Sequence, residues 1–177
     1  MPRTQRQTSS RPLTIAPIET SAGLFTAWFS ERGLAQLEFP RRYAPRVQAG
    51  AAASASPIRE WILLTTDALA AVLLGRPPLT LPPLDVSIGT AFQQRVWSAL
   101  QDIPVGETKS YGEVAKQLGS PKAVRAVGGA CGANPIPLLI PCHRVLAAND
   151  ELGGFSGGLD WKLRLLAAER RALFPKT

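Results

Sequence analysis

Apolar residues recur at short spacing in "GLFTAWFS" (23–30) and "GLAQLEF" (33–39), and Gly23 and Gly33 punctuate the two runs. Short, aromatic or alternating runs bounded by turn residues are the mark of strands, so residues 13–40 are read as a small sheet. The following stretch, 41–57, is small and polar enough to be a loop. From 57 to 74 the period changes: Trp61, Leu64, Leu69, Val72 and Leu73 supply one apolar stripe of a helix. Pro77, Pro78, Pro82 and Pro83 then interrupt "GRPPLTLPPLDV" (75–86). Proline restricts itself and the residue before it, so this reads as an extended linker, with a domain boundary near residue 85.

Beyond that point the pattern is helical. "TAFQQRVWSALQDI" (90–103) places Phe92, Val96, Trp97 and Leu100 on one face. "SYGEVAKQLG" (110–119) opens with Ser110 and carries Glu113 three places on, the reciprocal arrangement that satisfies orphan amides at a helix start. Gly119 ends that helix, and "SPKAVRAVGGACGAN" (120–134) follows with Ser120 as expected N-cap and Pro121 at the first helical position. Two helices joined by so short a turn form a helix-turn-helix. On the second of them Val124, Val127 and Cys131 share a stripe expected to face inward, while Arg125, Gly128, Gly129 and Gly132 share another. A mid-helix glycine costs roughly 1 kcal/mol against alanine. Two explanations stand side by side: tight packing on a neighbouring helix, or close approach of a ligand to bare backbone.

Charge sharpens the second. The 177 residues carry a net charge of +7, with fifteen arginines against five lysines, a balance that favours polyanions and nucleic acid first. No apolar run is long enough for a membrane span. "MPRTQRQTSSRPLT" has no apolar core of a secretory signal, and residues 1–12 read as a flexible basic tail. Cys131 and Cys142 lie eleven positions apart in a chain expected to be cytoplasmic, which argues against a disulfide framework. One histidine and two cysteines cannot supply the four N/S ligands of a structural zinc site, so no metal is expected.

The candidate chemistry sits in "IPCHRV" (140–145), where the chain's sole histidine follows a cysteine. A thiolate is the reactive form of cysteine, and a neighbouring base or positive charge favours it. Pro135, Pro137 and Pro141 mark the preceding segment as buried extended chain that fixes Cys142. "ELGGFSGGLDW" (151–161) supplies a glycine-rich loop able to wrap closely round a ligand. An amphipathic helix closes the chain from about residue 159, with Glu169 late in it beside Arg170 and Arg171. Singly, each signal has a bland reading: an inert buried thiol, a structural histidine, a solvated glutamate. Their concentration within one segment points to a site.

"IPCHRV", preceded by "RAVGGACGANPIP" and followed by "GGFSGG", resembles the active-site region of the O6-alkylguanine-DNA alkyltransferases, the methylated-DNA–protein-cysteine methyltransferases. The resemblance is strong over roughly residues 90 to 170 and extends N-terminally in general plan. It implies an α+β fold: a sheet-plus-helix portion over 13–84, and a mainly helical portion over 85–177 with a winged-helix-like helix-turn-helix. It implies direct-reversal DNA repair without a cofactor. The partner is double-stranded DNA carrying O6-alkylguanine, entered from the minor groove, with the base rotated out and its alkyl group moved irreversibly to cysteine. O4-alkylthymine stands as a second candidate substrate. The protein is expected to act as a monomer, with cooperative binding along DNA left open.

Carried over position by position, Cys142 is the alkyl acceptor, and His143 is its base through a bridging water, oriented by Glu169. Asn134 is the hinge asparagine, and Tyr111 helps rotate the nucleotide and protonate the departing oxygen. Arg125 fills the vacated place in the stack, with Ala123, Ala126 and Gly128 on the groove-facing surface. Pro137, Val145, Phe155 and Ser156 form the base pocket, and the carbonyls of Cys142 and Val145 read the guanine amino group. Arg144 is assigned a structural role bridging the two portions. This chain departs from some members at Gly132, at Val124 and at Phe155, and no second methyl-acceptor domain is expected before residue 1. Two other classes compete: a non-catalytic lesion-binding relative, against which Cys142 speaks, and a Cys/His hydrolase, which leaves the helix pair unexplained.

Overall fold

The computed structural model describes residues 13–40 and 57–173. The expected basic tail (1–12) and most of the expected loop (41–56) lie outside the described residues. Strands β1 (Thr14–Thr20), β2 (Gly23–Ser30) and β3 (Gly33–Glu38) form an antiparallel sheet in the order β1-β2-β3, with a bulge between Trp28 and Phe29. Alternation explains its faces: Ala16, Ile18, Phe25, Ala27, Phe29, Leu34 and Leu37 are buried. Helix α1 (Ile58–Leu73) covers the sheet with Thr65, Ala68, Leu69 and Val72.

The proline-rich stretch is extended, as read, and it is also tied to the sheet. Leu34 donates its amide to Pro83 O at 2.8 Å and accepts from the Asp85 amide at 2.7 Å. The apolar core is continuous across this junction, from Phe25 and Leu69 to Trp97, Ile136 and Leu165.

Helix α2 (Ala91–Gln101) starts on a Thr90–Gln93 capping box, and α3 (Tyr111–Gln117) on the expected Ser110–Glu113 box. Trp97 of α2 is 1% exposed and donates its indole N–H to Ala130 O of α4 (Val124–Gly132) at 2.8 Å. Truncating it to alanine would cost about 3–5 kcal/mol. The helix pair thus exists, but α4 begins three residues later than expected. Ser120 and Pro121 belong to the turn, where the Ser120 amide bonds Ala115 O and the Ala123 amide bonds Ser120 O, and the N-cap is Ala123. Val124 faces outward, 40% exposed, and the inward stripe is Val127, Ala130 and Cys131. Val124 is the first residue of α4, at its open end, where no neighbour covers it.

Two features escaped the pattern. Residues 109–110 (β4) and 145–146 (β5) form a two-residue parallel ladder, Lys109 opposite Val145 and Ser110 opposite Leu146. Cys142–Arg144 is a single 3-10 turn where extended chain was expected. The closing helix α5 (Leu159–Leu173) lies against α1 and against that turn. No helix among the described residues is long and apolar enough to cross a membrane.

Candidate active site

Asn134, just past the end of α4, folds the segment that carries Cys142 back on itself. Its side-chain oxygen accepts from the Ile136 amide at 3.0 Å, and its Nδ2 donates to Ile140 O at 2.8 Å and to Cys142 Sγ at 3.1 Å. Leu138, with φ of 75°, turns the loop between these anchors. The thiol is thereby held by a side chain from the helix-turn-helix, 4% exposed. Burial pushes Cys142 up to about 11, opposed by the Asn134 hydrogen bond and the Lys162 charge. At neutral pH it rests as a thiol and needs a base.

The 3-10 turn delivers His143 and Arg144 together onto Glu169 of α5. Far from being a solvated surface residue, Glu169 is 2% exposed. Its Oε1 meets His143 Nε2 at 2.8 Å, and it accepts from Arg144 Nε at 3.0 Å and Nη2 at 2.9 Å. The Gly106 amide donates to Oε2 at 2.9 Å. Burial alone would raise the Glu169 carboxyl, but these donors outweigh it and hold the group down at about 2. Gly106 has φ of +82°, a backbone conformation that side chains rarely adopt, so a substitution at this donor position is strained.

An ionised carboxylate can only accept, so His143 Nε2 carries the proton and Nδ1 is left with its lone pair. Burial also lowers the His143 pKa, which keeps the ring neutral at neutral pH. Among the described residues, Nδ1 is the one buried side-chain nitrogen or oxygen without a hydrogen-bond partner. A bare imidazole nitrogen on the residue next to a buried thiol has the protonation state of a base.

Arg144 bonds within the second portion, to Glu169 and, through Nη1 at 2.7 Å, to Ile103 O, and it lines a cleft with Val72, Pro77 and Leu81 of the first. The side chain that the sequence reading missed is Lys162, which is 0% exposed. Its ammonium donates to Val145 O at 2.7 Å and to Leu152 O, clipping β5 to the glycine-rich loop. Val145 O therefore already serves one donor, with its second lone pair remaining for another. Burial lowers the Lys162 pKa, while Cys142 and Cys131 oppose that shift. Cys131 itself is pushed up to about 12 by burial, the behaviour of an inert core thiol.

Tyr111 leads α3 and is carried to the site by the β4–β5 ladder. A Cβ on Gly153 would lie 3.0 Å from its hydroxyl, so ring and loop are in close contact. Burial raises its pKa, keeping the phenol protonated at neutral pH. Phe155 meets His143 edge-on at 6.4 Å, and Pro137 and Ser156 line one cleft with Asn134. A separate face carries Arg125 and Ala126, both exposed, with Ala123 and Gly128 half-buried. Cβ atoms at Gly128, Gly129 and Gly132 would meet nothing within 4 Å. Tight helix packing is thus overturned as the reason for these glycines; the bare face is open. Among the described residues, no group of three or more His, Cys, Asp or Glu side chains is arranged to hold a metal.

A family profile described as "6-O-methylguanine DNA methyltransferase, DNA binding domain" matches residues 91–171. The O6-methylguanine methyltransferase of Mycobacterium tuberculosis is 36% identical, with a TM-score of 0.71, over 90% of this chain and 93% of that one. The chain belongs to the O6-methylguanine-DNA methyltransferase family. The M. tuberculosis OGT solved in complex with DNA aligns at TM-score 0.69 and 38% identity, over 88% of this chain and 92% of that one. A curated methylated-DNA–protein-cysteine methyltransferase from Mycolicibacterium paratuberculosis is 61% identical over 83 residues, 47% of this chain and 50% of that protein. The chain thus spans about half the length of the curated methyltransferases it matches. The methyltransferase fold accounts for the architecture above, a small sheet-containing N-terminal region and a helical C-terminal one.

Proposed function

We propose that this protein reverses DNA alkylation directly, moving the alkyl group from O6 of guanine in duplex DNA to Sγ of Cys142. The observation that carries the reading is the hydrogen-bond geometry of Cys142, His143 and Glu169: a buried thiol held by Asn134, His143 Nε2 on the Glu169 carboxylate, and Nδ1 without a partner. In the reaction, the Cys142 proton passes to His143 Nδ1 through a bridging water. The thiolate attacks the alkyl carbon as the carbon–O6 bond breaks, and that electron pair returns to the guanine. Tyr111 supplies a proton to the departing oxygen, which Ser156 helps to hold, and regains one through solvent as His143 releases the proton it took from Cys142. The products are neutral guanine and a thioether. A thioether has no route back to thiol here, so each molecule acts once and needs no cofactor.

The target atom is inaccessible inside a duplex, so the base must leave the stack. The open glycine face of α4 suits a minor groove, with Arg125 entering the vacated stack and Ala123, Ala126 and Gly128 beside it. Pro137, Val145 and Phe155 receive the extruded base. O4-alkylthymine carries the same alkyl–oxygen bond and is the second substrate to assay. The protein would act as a cytoplasmic monomer on DNA.

The test is Cys142→Ser. It should bind a lesion-bearing duplex with wild-type affinity, because phosphate contacts are remote from the sulfur, and transfer no alkyl group. Residual transfer by this variant would disprove the assignment of the acceptor.

A further inference from the structure

Phe39, the residue after β3, has no place in the His143–Glu169 relay, yet it reaches the acceptor site from the sheet. Its ring meets Phe155 edge-on at 5.6 Å, Trp161 at 5.0 Å and Phe25 at 5.8 Å. Phe25 is 0% exposed in the sheet core and packs on Trp161 at 5.7 Å. Four rings therefore run from the rigid sheet to Phe155, which itself stands edge-on to His143 at 6.4 Å. Such tilted and edge-on contacts are favoured geometries, and they resist sliding.

The same ring supports the loop backbone. A Cβ on Gly157 would lie 2.6 Å from Phe39 Cε2 and Cζ, so the glycine-rich turn rests directly on the ring. Phe39 also lines a cleft of about 350 Å³ with Asn134, Pro137, Ser156 and Gly157. One wall of that cleft, Asn134, bonds the Cys142 sulfur.

We propose that Phe39 is a positioning residue of the acceptor site: its ring fixes Phe155 against His143 and Gly157 on the cleft wall opposite Asn134, and so sets which O6 substituents the site takes. The inference rests on the alkyl-transfer reading. A smaller side chain at 39 widens the cleft and lets Phe155 settle into it. The small methyl group then loses its fixed geometry, while a benzyl group gains room.

Transfer rates are measured on one duplex bearing O6-methylguanine or O6-benzylguanine, for wild type, Phe39→Leu, Phe39→Tyr and Gly157→Ala. In Phe39→Leu the methyl rate should fall about tenfold and the benzyl rate much less, the scale expected when a positioning contact shifts by a fraction of an ångström. Affinity for undamaged duplex should stay unchanged, which separates positioning from loss of fold. Phe39→Tyr, which keeps the ring, should hold both rates near wild type. Gly157→Ala forces loop and ring apart and should slow methyl transfer in a wild-type Phe39 background, so the test survives poor folding of Phe39→Leu. An unchanged benzyl-to-methyl ratio in both Phe39→Leu and Gly157→Ala would overturn the proposal while transfer itself stands. A wild-type protein inactive on both substrates would overturn the transfer reading, and the proposal with it.

Discussion

Glu169 compensates two buried groups with one carboxylate: it fixes the His143 tautomer and neutralises Arg144. Removing one member of such a buried network costs about 3–5 kcal/mol, because the partner charge is left unpaired. Glu169→Gln should therefore lower unfolding stability by about that amount, read by denaturant titration. It should also slow alkyl transfer about a hundredfold, the scale of a misplaced general base. The pH dependence has a definite sign. The folded carboxyl is held at about 2 against an ordinary 4.5, so its stabilisation is present above pH 4.5 and is lost as pH falls from there through 2. Wild type should lose stability across that window, and Glu169→Gln should lose distinctly less; equal slopes would show that the carboxylate is not the group being titrated. Cys142 and His143 were legible in the sequence because two rare residues stood adjacent. Lys162 was not, because a lysine in an amphipathic helix normally marks the solvent face. Yet Lys162, Leu165 and Glu169 fall at i, i+3 and i+7, on one stripe, and all three are buried. Two charges on an apolar stripe were the available signal.

At the scale of elements, α4 carries a conflict between folding and binding. Its mid-helix glycines have open space where a side chain would go, so nothing in the folded protein alone requires them. Gly129→Ala should raise stability by roughly 1 kcal/mol, since alanine costs less helix entropy. The same methyl would stand between backbone and groove, so duplex affinity should fall. Paired measurements of melting temperature and duplex Kd check this: a stabilised variant with unchanged affinity would remove the groove assignment from this face. The helix periods and the Ser110 cap were readable because each repeats over several residues. The β4–β5 ladder was not, since two residues carry no period, although it is what brings Tyr111 to the loop at Gly153. The start of α4 was misplaced for a related reason. Ser-Pro fits a first helical turn and a tight turn equally well, and here residues 120–123 form a turn closed by the Ala123 amide on Ser120 O.

For the whole molecule, the net charge of +7 supplies attraction to any duplex. On the proposed reading selectivity comes from extruding one nucleotide, and Arg125 is the exposed long side chain placed on the glycine face. Arg125→Ala should depress repair in duplex DNA far more than reaction with free O6-benzylguanine, because only the duplex requires extrusion. Equal losses on the two substrates would remove Arg125 from that role. The central claim is tested most directly by intact-protein and peptide mass spectrometry after mixing the protein with a duplex containing O6-methylguanine. One methyl group gained in exchange for one proton, in one-to-one yield and on the peptide holding Cys142, is the predicted result. An unmodified protein that still binds the duplex, or a methyl group on Cys131, would contradict it.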